Sequence, residues 1–210
     1  MTTKANILPA TGVVEEPVQP GQVGETALNQ LMHRYADGED GLFGELHSRL
    51  APRLFRFLLR LSGSSVVTEE LLQEAFLRVH RARGSFNRGA AALPWVYAIA
   101  RNVFLDSERK KKAGGFVVVD APFAEVRDAA ERRPDHILES RRKLDCVRET
   151  LQEMPASQRQ AFVLLRFEGF SVSDAAEVMG TTEASVKSCA FRAYQALRLA
   201  MNAVEGQDDS

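Results

Sequence analysis

The sequence predicts an all-α fold: two small helical domains joined by a flexible linker, with a helix-turn-helix in the C-terminal one. Three observations predict it. Apolar residues recur at three- and four-residue steps along most of the chain. The two stretches that show this period flank a segment of different character, with Gly114, Gly115, Pro122 and Pro134 around the apolar residues 116–119. No stretch alternates as a half-buried strand would.

The elements follow in order. Residues 1–24 are rich in Pro, Gly, Gln, Thr and Val without a helical period, and read as a flexible tail. The first domain spans residues 25–112. Ala27, Leu28, Leu31, Met32 and Tyr35 form one stripe, which Asp37, Gly38 and Asp40 end. A longer stripe carries Leu42, Phe43, Leu46, Leu50, Leu54, Leu58 and Leu61, with Pro52 inside as a kink or a division. Residues 62–65 form a break. A third helix carries Val67, Leu71, Leu72, Ala75, Phe76 and Val79, capped by Ser65 or Thr68, with Glu69 and Glu70 near its positive end. Residues 84–92 form a loop. A fourth helix starts near Pro94, suited to a first turn, and runs through Trp95, Ile99, Val103 and Leu105 to Lys112.

Residues 113–134 read as the linker, with a brief helix near 124–129 and with apolar residues 116–119 available to a partner. The second domain spans residues 135–201. Ile137, Leu138, Leu144, Val147 and Leu151 mark its first helix. Pro155 opens the second, which contains Ala161, Phe162, Leu164 and Leu165 and which Gly169 ends. Residues 202–210 are polar and acidic and read as another tail.

Next comes the most specific local pattern. Ser171 and Asp174 have capping-box spacing. A short helix follows through Ala175, Ala176 and Val178. Gly180 permits a left-handed corner, and Thr181 or Thr182 caps the helix that carries Val186. A small residue at the crossing, a glycine at the corner and an apolar plug are what a helix-turn-helix requires. Its second helix would lie in the DNA major groove, with Ser185, Lys187, Ser188 and Arg192 on the outer side.

Composition removes several classes. The net charge of −1 argues against a general polyanion binder, but the distribution is uneven. Residues 78–112 hold Arg78, Arg81, Arg83, Arg88, Arg101, Arg109, Lys110, Lys111 and Lys112 against only Asp106 and Glu108, while the first fifty residues lean acidic. Cys146 and Cys189 match no zinc or redox spacing, and His33, His47, His80 and His136 match no metal pattern. No phosphate-cradling glycine loop or catalytic constellation is visible, so no cofactor, no metal and no enzyme activity are expected. Neither a secretory signal nor a membrane-length apolar run is present, so a cytoplasmic protein without membrane insertion is expected.

Two stretches carry a family resemblance. Residues 69–79 (EELLQEAFLRV), with Phe86-Asn87 and residues 93–102 (LPWVYAIARN), resemble region 2 of sigma factors. Residues 154–162 (MPASQRQAF), 167–171 (FEGFS) and 185–188 (SVKS) resemble region 4. Both occur in order and lack an intervening domain, which is the layout of extracytoplasmic-function (ECF) sigma factors. The resemblance implies an alternative sigma factor that binds core RNA polymerase, recognises −35 and −10 promoter elements and promotes strand opening. It implies that Glu70, Gln73 and Glu74 meet the polymerase clamp. The loop at Phe86 would capture a flipped −10 base, helped by Asn87, Arg88, Arg101, Asn102, Arg109 and Lys110, with Lys111 and Lys112 beside them. Trp95 reads as core. Ser185, Lys187, Ser188 and Arg192 would read the −35 element. An anti-sigma factor is an implied partner, one that could hold the chain at a membrane. The recognition helix departs from the family: Cys189 stands where a basic residue is frequent, and Phe191 and Tyr194 stand where His and Arg are frequent. Cys189 reads as semi-buried and Cys146 as core. The alternatives are a helix-turn-helix regulator that binds duplex DNA without polymerase and, more remotely, an enzyme with a cryptic site.

Overall fold

The structure, a computed structural model, describes residues 20–114 and 134–208. Among them are eight α-helices and no strand: α1 (Pro20–Ala36), α2 (Phe43–Ser62), α3 (Ser65–Ala82), α4 (Ala92–Lys112), α5 (Pro134–Glu153), α6 (Ala156–Arg166), α7 (Val172–Met179) and α8 (Glu183–Asp208). The short helix expected near 124–129 and the apolar residues 116–119 lie outside the described residues.

The apolar stripes land inside. Leu46, Leu50, Leu54, Phe57, Leu58 and Leu61 of α2 are all fully buried, and so are Met32 and Tyr35 of α1. Pro52 neither breaks nor divides α2, which continues through it to Gly63. That glycine turns left-handed at φ 74°, where a Cβ would be strained. In α3 the cap differs from expectation. The side chain of Ser64 accepts from the Val67 N–H, while Thr68 is buried and its hydroxyl donates to the Ser64 carbonyl. Consequently Glu69 and Glu70 lie beyond the first turn.

The α4 cap is supplied from far away. The Ala92 N–H donates to Asn29 Oδ1 of α1 at 2.8 Å, because Ala91 has no side chain able to do it. α4 begins at Ala92, two residues ahead of Pro94, which is buried. Two boundaries move outward. α1 begins at Pro20, inside the expected tail, and α8 continues through Asp208, across most of residues 202–210. The Ala, Asn, Val, Glu and Gln residues of that end extend a helix already nucleated at little cost, and Gly206 adds about 1 kcal/mol.

In the second half, α8 lies against α5, α6 and α7. Gly169 turns left-handed at φ 74° beyond α6, and the Phe170 N–H reaches back to the Leu164 carbonyl. Ser171 caps α7 by accepting from the Asp174 N–H at 3.0 Å. Gly180 makes the corner at φ 61°, and Thr182 Oγ1 accepts from the Ser185 N–H at the start of α8. Ala176 and Val186 are buried at the crossing. The helix-turn-helix is therefore formed as its residues imply.

The two halves also pack on one another. α7 lies against α4, and both α5 and α6 touch α2. One apolar core runs through both halves, from Leu28 to Val186, with a smaller one at Leu151, Met154, Ala193 and Leu197.

Leu50→Ala is expected to lower the unfolding free energy by about 2–5 kcal/mol, the cost of a cavity at a fully buried site. Ser64→Ala is expected to cost about 1 kcal/mol for the lost α3 cap. Urea midpoints at constant slope measure both; a Ser64→Ala midpoint equal to that of the unmodified chain counts against the cap.

Candidate functional site

The exposed chemistry lies on three surfaces. The first is the outer face of α3. Glu70 and Gln73 are exposed there, whereas Glu74 is half-buried and pairs with Arg78 at 2.8 Å. Arg78 also reaches Asp106 of α4 at 2.7 Å, so one guanidinium ties α3 to α4. The Asp106 and Glu74 hydrogen bonds, in that order, raise the Arg78 pKa. Chiefly through its bond to Arg78, the Asp106 carboxyl lies below the usual carboxylate range. Glu74 is thus partly committed inside the fold, and Glu70 and Gln73 are the free members of the expected trio.

Beside Gln73 lies a groove that sequence reasoning missed. It encloses about 640 Å³ and is lined by Asp40, Phe43, His47, Leu72, Gln73, Phe76, Leu77 and His80. Leu77 is 50% exposed, a large apolar side chain left in water. Its signal was legible: Leu77 follows Glu70 by seven residues and shares its helix face. His47 stacks 4.4 Å from Phe76, and the Tyr35 hydroxyl is 2.5 Å from His80 Nδ1, which makes the groove wall firm.

The second surface joins the loop before α4 to the outer side of α4. Asn87, Arg88, Asn102, Arg109 and Lys110 are exposed on it. Arg88 pairs with Asp37, Arg83 with Asp40 at 2.9 Å, and Asn87 Oδ1 accepts from the Gly89 N–H at 2.9 Å. The two ion pairs tie the loop to the turn that follows α1, and the Asn87 bond shapes the loop itself. Exposed ion pairs contribute little, so Arg88 and Arg109 can exchange a carboxylate for a phosphate at small cost.

Two expected members of this surface are not on it. Phe86 is 6% exposed, with its ring 5.2 Å from Trp95 and 5.6 Å from His33. The ring is a wall beneath the loop, and it presents no open face to a base. Burial wins here because an aromatic ring beside α1 and α4 removes more apolar area from water than any other side chain in the loop. Arg101 is half-buried and donates its Nε–H to Gln160 Oε1 of α6 at 2.7 Å. Desolvation, then the neighbouring Arg109, lowers its pKa. Trp95, expected in the core, is half-buried and packs against it from the edge.

The third surface is the outer side of α8. Lys187, Ser188 and Arg192 are exposed and Ser185 is half-buried. Lys187 lies 3.4 Å from Glu183, an exposed pair that a phosphate would readily displace. Phe191 and Tyr194 are 63% and 60% exposed, so the face is aromatic as well as basic. Cys189 and Cys146 are both half-buried free thiols; Cys146 is less deep than a core residue. Among the described residues no group of His, Cys, Asp and Glu is arranged to hold a metal ion, and no helix is long and apolar enough to cross a membrane.

Comparison with known proteins places these surfaces in a family context. Residues 46–114 match the model of sigma-70 region 2, and residues 144–197 match that of sigma-70 region 4. The RNA polymerase sigma factor CarQ of Myxococcus xanthus is 31% identical over 83% of this chain and 97% of its own length. The ECF RNA polymerase sigma factor SigM of Mycobacterium tuberculosis is 32% identical over 80% of this chain and 82% of its own. In fold, the chain is similar to the sigma factor RpoE of Bartonella quintana, solved with the anti-sigma factor NepR. That match has a TM-score of 0.63 and 24% identity, over 76% of this chain and 96% of that one. CnrH, solved with the cytosolic domain of CnrY, gives the same TM-score at 22% identity, over 84% and 98%.

If Phe86 is a wall, Phe86→Ala should destabilise the first half by about 3 kcal/mol, the low end for an aromatic truncation. It should also shift the emission of Trp95, the one tryptophan in the chain. Thermal melting and intrinsic fluorescence measure this; unchanged stability and emission would return Phe86 to the exposed role.

Proposed function

We propose a division of labour for this chain, which belongs to the ECF group of the sigma-70 family and is an alternative sigma factor acting with RNA polymerase at promoters. Residues 25–112 form the polymerase-binding and −10 domain, residues 113–134 the linker, and residues 135–201 the −35 domain.

Glu70, Gln73 and the Leu77 groove dock on the polymerase clamp, and Glu74 holds that face in register through Arg78. Acid and amide groups around an apolar anchor suit a basic helical partner, because the anchor supplies affinity and the charges supply orientation. Asn87, Arg88, Asn102, Arg109 and Lys110 hold the −10 strand as it opens. Asparagine amides read base edges, and the cations hold phosphates with a salt-sensitive contribution. Phe86 acts beneath them by setting the loop, and Arg101 joins them once released from Gln160. On α8, Ser185, Lys187, Ser188 and Arg192 read the −35 duplex. The chain contributes binding energy and catalyses nothing itself; the chemistry of RNA synthesis is the polymerase's. Its place of action is the cytoplasm, where its polymerase and promoters are. An anti-sigma protein is a further partner, as for the RpoE relative solved with one.

One observation carries this reading. The chain that presents a basic helix-turn-helix also presents the exposed Glu70, Gln73 and Leu77 face on α3. A regulator of duplex DNA alone would need only the former.

Run-off transcription with purified core polymerase tests it, since promoter-specific product should depend on the chain. The double variant Glu70→Lys, Leu77→Ala should weaken core binding by roughly tenfold or more, the loss typical of an interface anchor. Arg192→Ala should cost about 1–3 kcal/mol at the −35 element while leaving core binding intact. Core binding unmoved by the double variant would sink the clamp assignment.

A further inference from the structure

We propose that one side of α2 carries a phosphate rail, formed by Arg49, Arg53 and Arg56, which holds the backbone of duplex DNA outside the −10 and −35 elements without reading its sequence. The proposal rests on the promoter reading above and adds a third DNA contact to it.

Arginines stand at positions 49, 53, 56 and 60, steps of four, three and four residues, so they share one side of the helix. Arg49, Arg53 and Arg56 are exposed. Arg60 is half-buried and turns to Glu168 at 3.2 Å, which ends the exposed run. Arg49 pairs with Glu45 at 2.6 Å, an exposed contact that a phosphate can replace at small cost. Arg53 and Arg56 pair with no carboxylate among the described residues. The helix itself cannot supply one. Four positions to either side of them stand Arg49, Phe57, Pro52 and Arg60. Successive cations at these steps repel one another, and an anion laid along the stripe removes that repulsion. Burial and the Glu168 charge raise the Tyr97 pKa, and Arg53 and Arg56 oppose that rise. Tyr97 of α4 is therefore within electrostatic reach of both, and the stripe runs beside the helix that carries the proposed −10 surface.

Three features select duplex DNA as the partner. First, every cation of the stripe is an arginine, whose planar guanidinium offers two parallel N–H bonds to one phosphate. Second, the lengths agree. From Arg49 to Arg56 the helix rises about 10 Å. Each DNA strand presents a phosphate about every 3.4 Å along the duplex axis, so three guanidiniums meet about three successive phosphates. Third, the stripe offers no stacking surface. Proteins that hold single strands stack unpaired bases on aromatic rings. Beside the stripe Phe57 is buried and Phe55 half-buried, so neither ring stands open to a base. A duplex keeps its own bases stacked and needs only the cations. Such a contact strengthens binding at every sequence and fixes the position of the protein on the duplex.

Fluorescence anisotropy of a labelled duplex of scrambled sequence, titrated with the full chain at several salt concentrations, tests the rail without polymerase. The double variant Arg53→Gln, Arg56→Gln should bind roughly tenfold or more weakly at low salt, and the slope of log affinity against log salt should fall by about 2. Arg53→Lys, Arg56→Lys should keep most of that slope, because the charges remain. Helicity and core polymerase binding of both variants should equal those of the unmodified chain. The loss should be smaller for a single strand of the same length and absent for polyglutamate. Unchanged duplex affinity and slope overturn the rail. An equal loss toward the single strand or polyglutamate also overturns it, since the stripe is then a surface for any polyanion. Weakened core binding overturns it as well, since the stripe then faces polymerase. Absence of run-off product from the unmodified chain with core polymerase overturns the promoter reading instead, and the promoter role of the rail with it.

Discussion

The structure depends on what α4 must bury and what it must leave free. Val96, Tyr97, Ala100, Val103 and Phe104 are within a few per cent of complete burial, and the helix touches α1, α2, α3 and α7. The same helix carries a cluster of cations at its C-terminal end, where Arg109, Lys110, Lys111 and Lys112 also complement the helix dipole. A helix that is apolar on one side and basic on the other is stable only between a core and a polyanion or water. Its neighbours fix its position with polar contacts: Asn29 at its start, Arg78 of α3 at Asp106, and Glu168 through Tyr97. Moving α4 would disturb the α3 face and the loop at Asn87 together. This is how the α3 face and the loop surface before α4 remain in register within about ninety residues.

Local chemistry in the sequence made most of the helices legible. Period, glycine corners and cap spacing located α2, α3, α6, α7 and the start of α8, because each signal acts within a few residues. Failures arose where the deciding partner was distant or ambiguous. Ser64, Ser65 and Thr68 offered three oxygens for one cap, and only the approach of the chain from Gly63 selects Ser64. Phe86 stands among Ser85, Asn87 and Arg88 and reads as a loop residue, while its burial depends on His33 and Trp95. Asn29 gives no sign that it caps a helix 63 residues away. Of the candidate residues, Glu70, Arg109, Lys110, Lys187 and Arg192 lie outward because patterning keeps charge outward, whereas Arg101 turns to Gln160 and Glu74 to Arg78, partners that no local pattern announces. The contact between the halves was not, since Tyr97, Gln160 and Glu168 look like any other residues of amphipathic helices.

That contact has a particular energetic character. Its apolar part belongs to the core that both halves share, and around Phe57, Tyr97 and Phe170 a dense polar part joins it. Burial raises the Tyr97 pKa, with the Glu168 charge next in effect, so the hydroxyl stays a donor across the whole physiological range. Arg159 is desolvated too, and its pKa is lowered for that reason. Buried polar contacts of this kind specify geometry strongly while adding little net stability. Together with the shared apolar core they define one docked arrangement.

The outer side of α8 is sparing with charge. Lys187 and Arg192 supply few cations, and Phe191 and Tyr194 occupy much of the remaining outer face. Phosphate neutralisation scales with the number of cations engaged, so in the promoter reading proposed above α8 alone would grip duplex DNA weakly at physiological salt. Weak binding by one half becomes strong when the other half is already anchored, because tethering raises its effective concentration at the second site. A chain built this way gains little from meeting DNA alone and much from meeting it on polymerase. On that reading, the few cations of α8 direct promoter binding toward the assembled enzyme.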